Sequence, residues 1–193
     1  MKKKNTITTI TGIIFLTFGI WAIFNGIYIL KNPSIILWIC HIGLLLLGIG
    51  FLTKNKTLIQ TQLNILTIPL IIWTIDFVYY LFTNQSLLDI TGYFFQQEYL
   101  SSKIITSQHL FTIPLSLFSM RFIKKSAKNS IIISMIFITL IFLISRTLGA
   151  PDENINLVYS LLRLNGAYYS IIWFLVVSIM IIITNSTIKK LKF

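Results

Sequence analysis

The sequence predicts an all-α, polytopic integral membrane protein: a six-helix transmembrane bundle forming a single domain over 1–193. Three observations predict it. Of the 193 residues, 55% are hydrophobic and 11% are charged, where ordinary soluble domains carry about a quarter charged residues. Mean hydropathy is +0.84. The apolar residues also gather in runs of about 20, the length that carries a helix across the hydrocarbon core at roughly 1.5 Å per residue.

The runs place helices near 7–30, 34–53, 58–82, 103–123, 130–148 and 167–185. The first follows Met1-Lys2-Lys3-Lys4, which has the look of a secretion signal's basic start. The run from Ile7 to Leu30 is too long for a signal and has no small-residue cleavage site, so it reads as a retained helix. Its Gly12, Gly19 and Gly26 recur every seventh residue and keep one face small for close helix packing. Gly43, Gly48 and Gly50 lie along the second helix. The first hairpin turns at Lys31-Asn32-Pro33, where Pro33 suits a first helical position. Pro69 and Pro114 fall inside the third and fourth helices, each removing a backbone hydrogen bond and predicting a kink. No internal repeat is visible, which weighs against an inverted-repeat transporter.

The formal net charge is +11. The basic residues lie between apolar runs, where they act as topology signals, so nucleic acid is excluded as a partner. With the N-terminus on side one, that side holds twelve of the 16 Lys and Arg: Lys2, Lys3, Lys4, Lys54, Lys56, Arg121, Lys124, Lys125, Lys128, Lys189, Lys190 and Lys192. The other four, Lys31, Lys103, Arg146 and Arg163, fall on side two. The positive-inside rule then puts both termini in the cytoplasm of a protein of the cell membrane. Four of the five acids, Asp89, Glu98, Asp152 and Glu153, fall outside. Cys40 is the single cysteine, so no intrachain disulfide forms. Asn84-Gln85-Ser86 is a formal glycosylation sequon on the outer side.

Asp76 is the one acid within a long apolar run, in Trp73-Thr74-Ile75-Asp76-Phe77. Intramembrane ionisable groups mark function by default. Asp76 should lie about six residues, roughly 9 Å, below the outer end of its helix. His109 on the fourth helix and His41 on the second fall at a similar depth, and Arg146 lies near the outer end of the fifth. Convergence would make His109 a general base or a metal ligand tuned by Asp76, with Arg146 an anion anchor and Trp73, Tyr93 and His41 lining a substrate site. Glu153 and Asn154, with Asp152, would form a lid from the outer loop 149–166. The competing reading makes Asp76 and His109 a buried polar pair that sets helix register. Cys40 and His41 are adjacent, point about 100° apart on a helix, and cannot serve each other as nucleophile and base. No His-x-x-His or Glu-x-x-His spacing is present, so no metal is expected, and no phosphate loop or dinucleotide fingerprint implies a cofactor.

Three motifs occur together: Trp73-x-x-Asp76-Phe77; then Thr91-Gly92-Tyr93-Phe94-Phe95 with Ser107-x-His109-x4-Pro114; then Pro151-Asp152-Glu153-Asn154-Ile155-Asn156 with Val158-Tyr159. The combination resembles a family of uncharacterised small multi-pass membrane proteins of bacteria and archaea. The resemblance covers most of the chain from His41 onward and implies a polytopic fold without an assigned activity. His109-x4-Pro114 is also similar to a pattern in the androgen-induced family of intramembrane threonine hydrolases, which cleave branched fatty-acid esters. That likeness implies His109 as base and a threonine nucleophile from another helix. Thr67 and Thr74 are the nearest, and neither stands in a matching motif.

A polar cluster under apolar, aromatic outer loops suits an amphiphile whose head group stays at the interface. The expected function is handling of a membrane lipid or lipid-like substrate by ester hydrolysis or acyl transfer. The rivals are a proton-coupled small-solute transporter using Asp76, and a non-enzymatic membrane subunit whose polar cluster is structural.

Overall fold

The computed structural model describes residues 2–124, 126–161, 164–166 and 168–191, with side chains from Asn5 onward. Lys125, Arg163 and Lys192, counted above as topology signals, lie outside the described residues, as do the side chains of Lys2, Lys3 and Lys4 and the predicted helix start Ala167.

The chain is all-helical. Helix α1 (Lys2–Phe24) runs into a π turn at Asn25–Ile29. A short 3-10 turn, Pro33–Leu37, opens with Pro33 in its first position and is capped by Asn32, whose side chain accepts from the Ser34 amide at 3.1 Å. Then come α2 (Ile39–Leu52) and α3 (Lys56–Thr83). Asn55 caps α3 by accepting from the Leu58 amide at 3.1 Å, and Asn84 closes it in a left-handed conformation. Two short helices, α4 (Gly92–Gln96) and α5 (Leu100–Thr106), precede α6 (Gln108–Met120). Helices α7 (Ser130–Leu148) and α8 (Tyr169–Lys190) finish the fold. Among the described residues, the sole sheet-like pairing is a bridge between Leu161 and Leu164.

Four stretches are long and apolar enough to cross a membrane: Asn5–Ile29, Lys56–Thr83, Ser130–Leu148 and Tyr169–Lys190. The two other predicted helices are each divided. The stretch expected as one helix over 34–53 breaks at Trp38, leaving α2 with 14 residues, about 21 Å. There Asn156 takes over the backbone: the Ile39 amide donates to its Oδ1 at 2.8 Å, and its Nδ2 donates to the Leu37 carbonyl at 2.8 Å. The stretch expected over 103–123 begins at Leu100 and is divided at Ser107, whose hydroxyl donates to the Ile104 carbonyl at 2.6 Å and competes with the helix ladder. Both prolines sit within helices, Pro69 in α3 and Pro114 in α6, so neither marks the break.

Helix α3 is the centre of the molecule and packs against α2, α6, α7 and α8. On one side Leu63, Leu66 and Leu70 meet Phe15, Leu44, Leu47 and Ile113. On the other, Ile65 joins Ile138, Phe142, Trp173 and Ile181, closed by Val158 from the loop after α7. Helices α1 and α2 touch backbone to backbone. A Cβ at Gly48 would stand 2.8 Å from the Leu16 nitrogen and 3.0 Å from the Gly12 carbonyl oxygen, so only glycine fits that crossing.

The bundle has two unlike ends. At one, Lys54 Nζ donates to Asn5 Oδ1 at 3.0 Å, Lys56 Nζ to the Ile123 carbonyl at 3.4 Å, and the Lys128 amide to Thr57 Oγ1 at 3.1 Å. This is the basic end. The other is the loop-rich end, where Glu153 meets Asn32 and Ser34, and Asn25 meets Ser101 and Ser102.

Candidate functional site

The four side chains expected at one depth sort into three separate sets at the loop-rich end. The first belongs to Asp76. Its carboxylate is fully buried, where a charge without partners is expensive. Four donors offset that expense. Ser86 Oγ and Thr91 Oγ1 donate to Oδ2 at 2.6 Å each, the Ile90 amide to Oδ2 at 3.3 Å, and the Leu88 amide to Oδ1 at 2.8 Å. All four come from the strap that follows α3. A loop closing back over about ten to fifteen residues reaches the carboxylate with little loss of chain entropy, which is why local donors, and not His109, take it.

The strap lays α4 along the outer half of α3. Phe95 stacks on Tyr80 with ring centroids 4.0 Å apart and on Phe77 at 5.4 Å. Phe94 meets Phe77 edge-on at 5.1 Å. Trp73 stacks on Phe77 at 5.0 Å, and its Nε1 donates to Tyr93 Oη at 3.2 Å.

The second set centres on His109, in the first turn of α6. Its ring lies 4.6 Å from the ring of Trp73, centroid to centroid. The residue is buried; its ring lies near the Thr106 carbonyl, and Nδ1 makes no hydrogen bond of good geometry among the described residues. The neighbouring Gln108 leaves its Nε2 unpartnered as well. Trp73 therefore joins Tyr93 of the strap to His109 in one aromatic and imidazole cluster, while His41 is held with Nδ1 3.0 Å from the Ile35 carbonyl.

The third set is Arg146, which does not join either of the others. Its guanidinium lies over the Tyr159 ring at 4.9 Å and the Phe142 ring at 5.5 Å, and donates to Ser170 Oγ on α8. The expected lid residues are fasteners. Asn154 Nδ2 donates to the Ser160 carbonyl at 2.8 Å, and its Oδ1 accepts the Tyr159 amide at 2.9 Å, closing a turn within the loop. Glu153 Oε1 accepts from Asn32 Nδ2 at 2.8 Å and Ser34 Oγ at 2.7 Å. These two bonds hold its carboxyl below the usual carboxylate range. Asp152 is exposed. No cluster of three or more His, Cys, Asp or Glu suited to a metal ion occurs among the described residues.

The sequence reading weighed charges and missed a second polar layer nearer the basic end. Gln60, Thr61, Gln62 and Asn64 of α3 are all buried. Gln60 Nε2 donates to Asn185 Oδ1 on α8 at 2.9 Å, and Asn64 Nδ2 donates to Ser134 Oγ on α7 at 3.1 Å. Gln62 has both amide atoms unpartnered among the described residues. The signal was present as four polar side chains within five residues of a helix that is otherwise apolar.

Against known proteins, no family model, no curated protein and no solved structure matches the chain.

Proposed function

We propose that the chain is a multi-pass protein of the cell membrane, with six crossings and both termini cytoplasmic, that binds a lipid or lipid-like amphiphile at its loop-rich end. The crossings would be α1, α2 with its preceding 3-10 turn, α3, the α5–α6 pair, α7 and α8. The four long apolar helices support the embedding. So does the sorting of charge, with Lys54, Lys56, Arg121, Lys124, Lys128, Lys189 and Lys190 at the basic end and the five acids at the other. Aromatic side chains also ring the loop-rich end: Tyr28 is 62% exposed, Phe82 84% and Tyr168 78%. Such belts sit at the membrane–water boundary.

One observation carries the binding reading: the buried imidazole of His109, whose Nδ1 makes no hydrogen bond of good geometry among the described residues and has the Thr106 carbonyl nearby, within the aromatic walls of Trp73 and its neighbours. A buried polar atom wants a partner, and a head group entering beneath the strap would supply one while its tail stays among apolar side chains. Cleavage of the amphiphile finds less support. Thr67 and Thr74, the nearest threonines to serve as the nucleophile that likeness to the threonine hydrolases would require, each donate to the carbonyl four residues back, at 2.7 Å. A proton-carrier role for Asp76 is disfavoured by the four donors already on its carboxylate.

The test is mass spectrometry of lipids that copurify with the intact protein and with His109→Ala. The expected result is one lipid class enriched over the bulk membrane in the native protein and about tenfold depleted in the variant, corresponding to roughly one or two hydrogen bonds. Identical lipid profiles for the two proteins would defeat the reading.

A further inference from the structure

The basic end carries a cavity that the reading above does not use. It measures about 490 Å³ and opens where the turn between α2 and α3 meets the loop between α6 and α7. Thr53, Asn55, Lys56, Thr57 and Ser126 supply its polar lining, and Ile49 and Leu58 its apolar lining. The walls are fixed in place. Asn55 caps α3, Lys56 reaches the Ile123 carbonyl, and the Lys128 amide donates to Thr57 Oγ1. Because that oxygen accepts from Lys128, the Thr57 hydroxyl proton remains directed away from the contact and can donate to a ligand.

The charge around the cavity is of one sign. Lys54, Lys56, Lys124 and Lys128 lie within the two segments that build it, and every acid of the chain lies at the opposite end of the bundle. An anion is the ligand such a field selects. The lining separates a lipid from a free ion. Ile49 is 44% exposed on the flank of α2 and continues the cavity onto the apolar surface of the bundle, where an acyl chain would lie and inorganic phosphate would gain nothing. We propose that this cavity seats the phosphodiester head group of an anionic membrane lipid, with Lys56 and the Thr57 hydroxyl contacting the phosphate. The site is separate from the His109 cluster and rests on the membrane embedding proposed above.

The experiment uses the full chain purified in neutral detergent and measures thermal unfolding on titration with phosphatidylglycerol, phosphatidylcholine or inorganic phosphate. Phosphatidylglycerol is expected to raise the midpoint saturably, and the other two are expected to leave it unchanged. Lys56→Gln is expected to weaken the apparent affinity about fivefold, the effect of one lysine at a charged lipid surface. Thr57→Val tests the same site without altering charge. Lys190→Gln, which removes the same single charge outside the cavity lining, is expected to change nothing. Equal shifts with phosphatidylcholine, equal shifts with inorganic phosphate, or an equal loss in Lys190→Gln would each overturn the proposal. Release from membranes by carbonate at high pH, without detergent, would instead overturn the embedding, so the two failures are distinguishable.

Discussion

Replacing Asp76 by Ala would strand two hydroxyls and two amides that now converge on one carboxylate. Thr91 is buried and the other three donors are part-buried; donors left there without an acceptor are expensive, and the variant is expected to lose roughly 2–4 kcal/mol of stability. Limited proteolysis is the sensitive readout, with new cleavage within 84–99 while the rest of the bundle resists. A strap that stays intact in the variant would contradict the structural role. The sequence made Asp76 conspicuous because it is the one acid in an apolar run, and its burial was therefore legible. Its partners were not. Ser86, Thr91 and two backbone amides belong to a loop whose path depends on positive φ at Asn84 and Asp89, and composition does not encode that path. His109 was legible as a buried imidazole, and Trp73 by its place one turn from Asp76. The position of Arg146 was not legible, because depth along a helix says nothing about which face a side chain takes. The cation turned to the aromatic rings of Phe142 and Tyr159, an arrangement that satisfies a guanidinium without an acid.

Among the elements, the α1–α2 hairpin is the one whose packing the sequence stated most directly. Seventh-residue spacing of Gly12 and Gly19 implied a close approach, and the structure realises it against Gly48 and Leu45. Gly48→Val is expected to force the two helices apart and lower stability by about 1–3 kcal/mol, the usual range for overpacking. Thermal unfolding in detergent checks it, with Gly92→Ala as the control, since a Cβ there meets nothing within 4 Å. Helix lengths were less legible. An apolar run records burial and not hydrogen bonding, so the breaks at Trp38 and Ser107 were invisible where side chains take over backbone groups. The Gln60–Asn64 layer was overlooked for a related reason. Uncharged amides barely lower the hydropathy of a 28-residue helix, yet they tie α3 to α7 and α8 by bonds that fix rotation and depth.

For the whole molecule, the twelve-to-four division of basic residues predicts which end faces the cytoplasm. In a Cys40→Ser background, a cysteine at Ser126 is expected to resist a membrane-impermeant thiol reagent in intact cells and to react after lysis. A cysteine at Asp152 is expected to react in both. The reverse pattern would invert the topology. Hydropathy made the all-helical class and the four long apolar helices legible, because it reflects solvent; it did not show that the other two predicted segments are divided. The clustering of site residues depended on long-range contacts that no local pattern carries. Those contacts differ sharply in span, and the difference bears on biogenesis. The strap closes on Asp76 over at most 15 residues, so it can form almost as soon as it leaves the ribosome. The Asn156 contacts with Leu37 and Ile39 span 119 and 117 residues. At roughly 5–20 residues per second, the first hairpin waits on the order of ten seconds for the loop that completes it. During that interval its break at Trp38 has no partner, and the nascent chain depends on the glycine seam between α1 and α2 to keep its first two helices together.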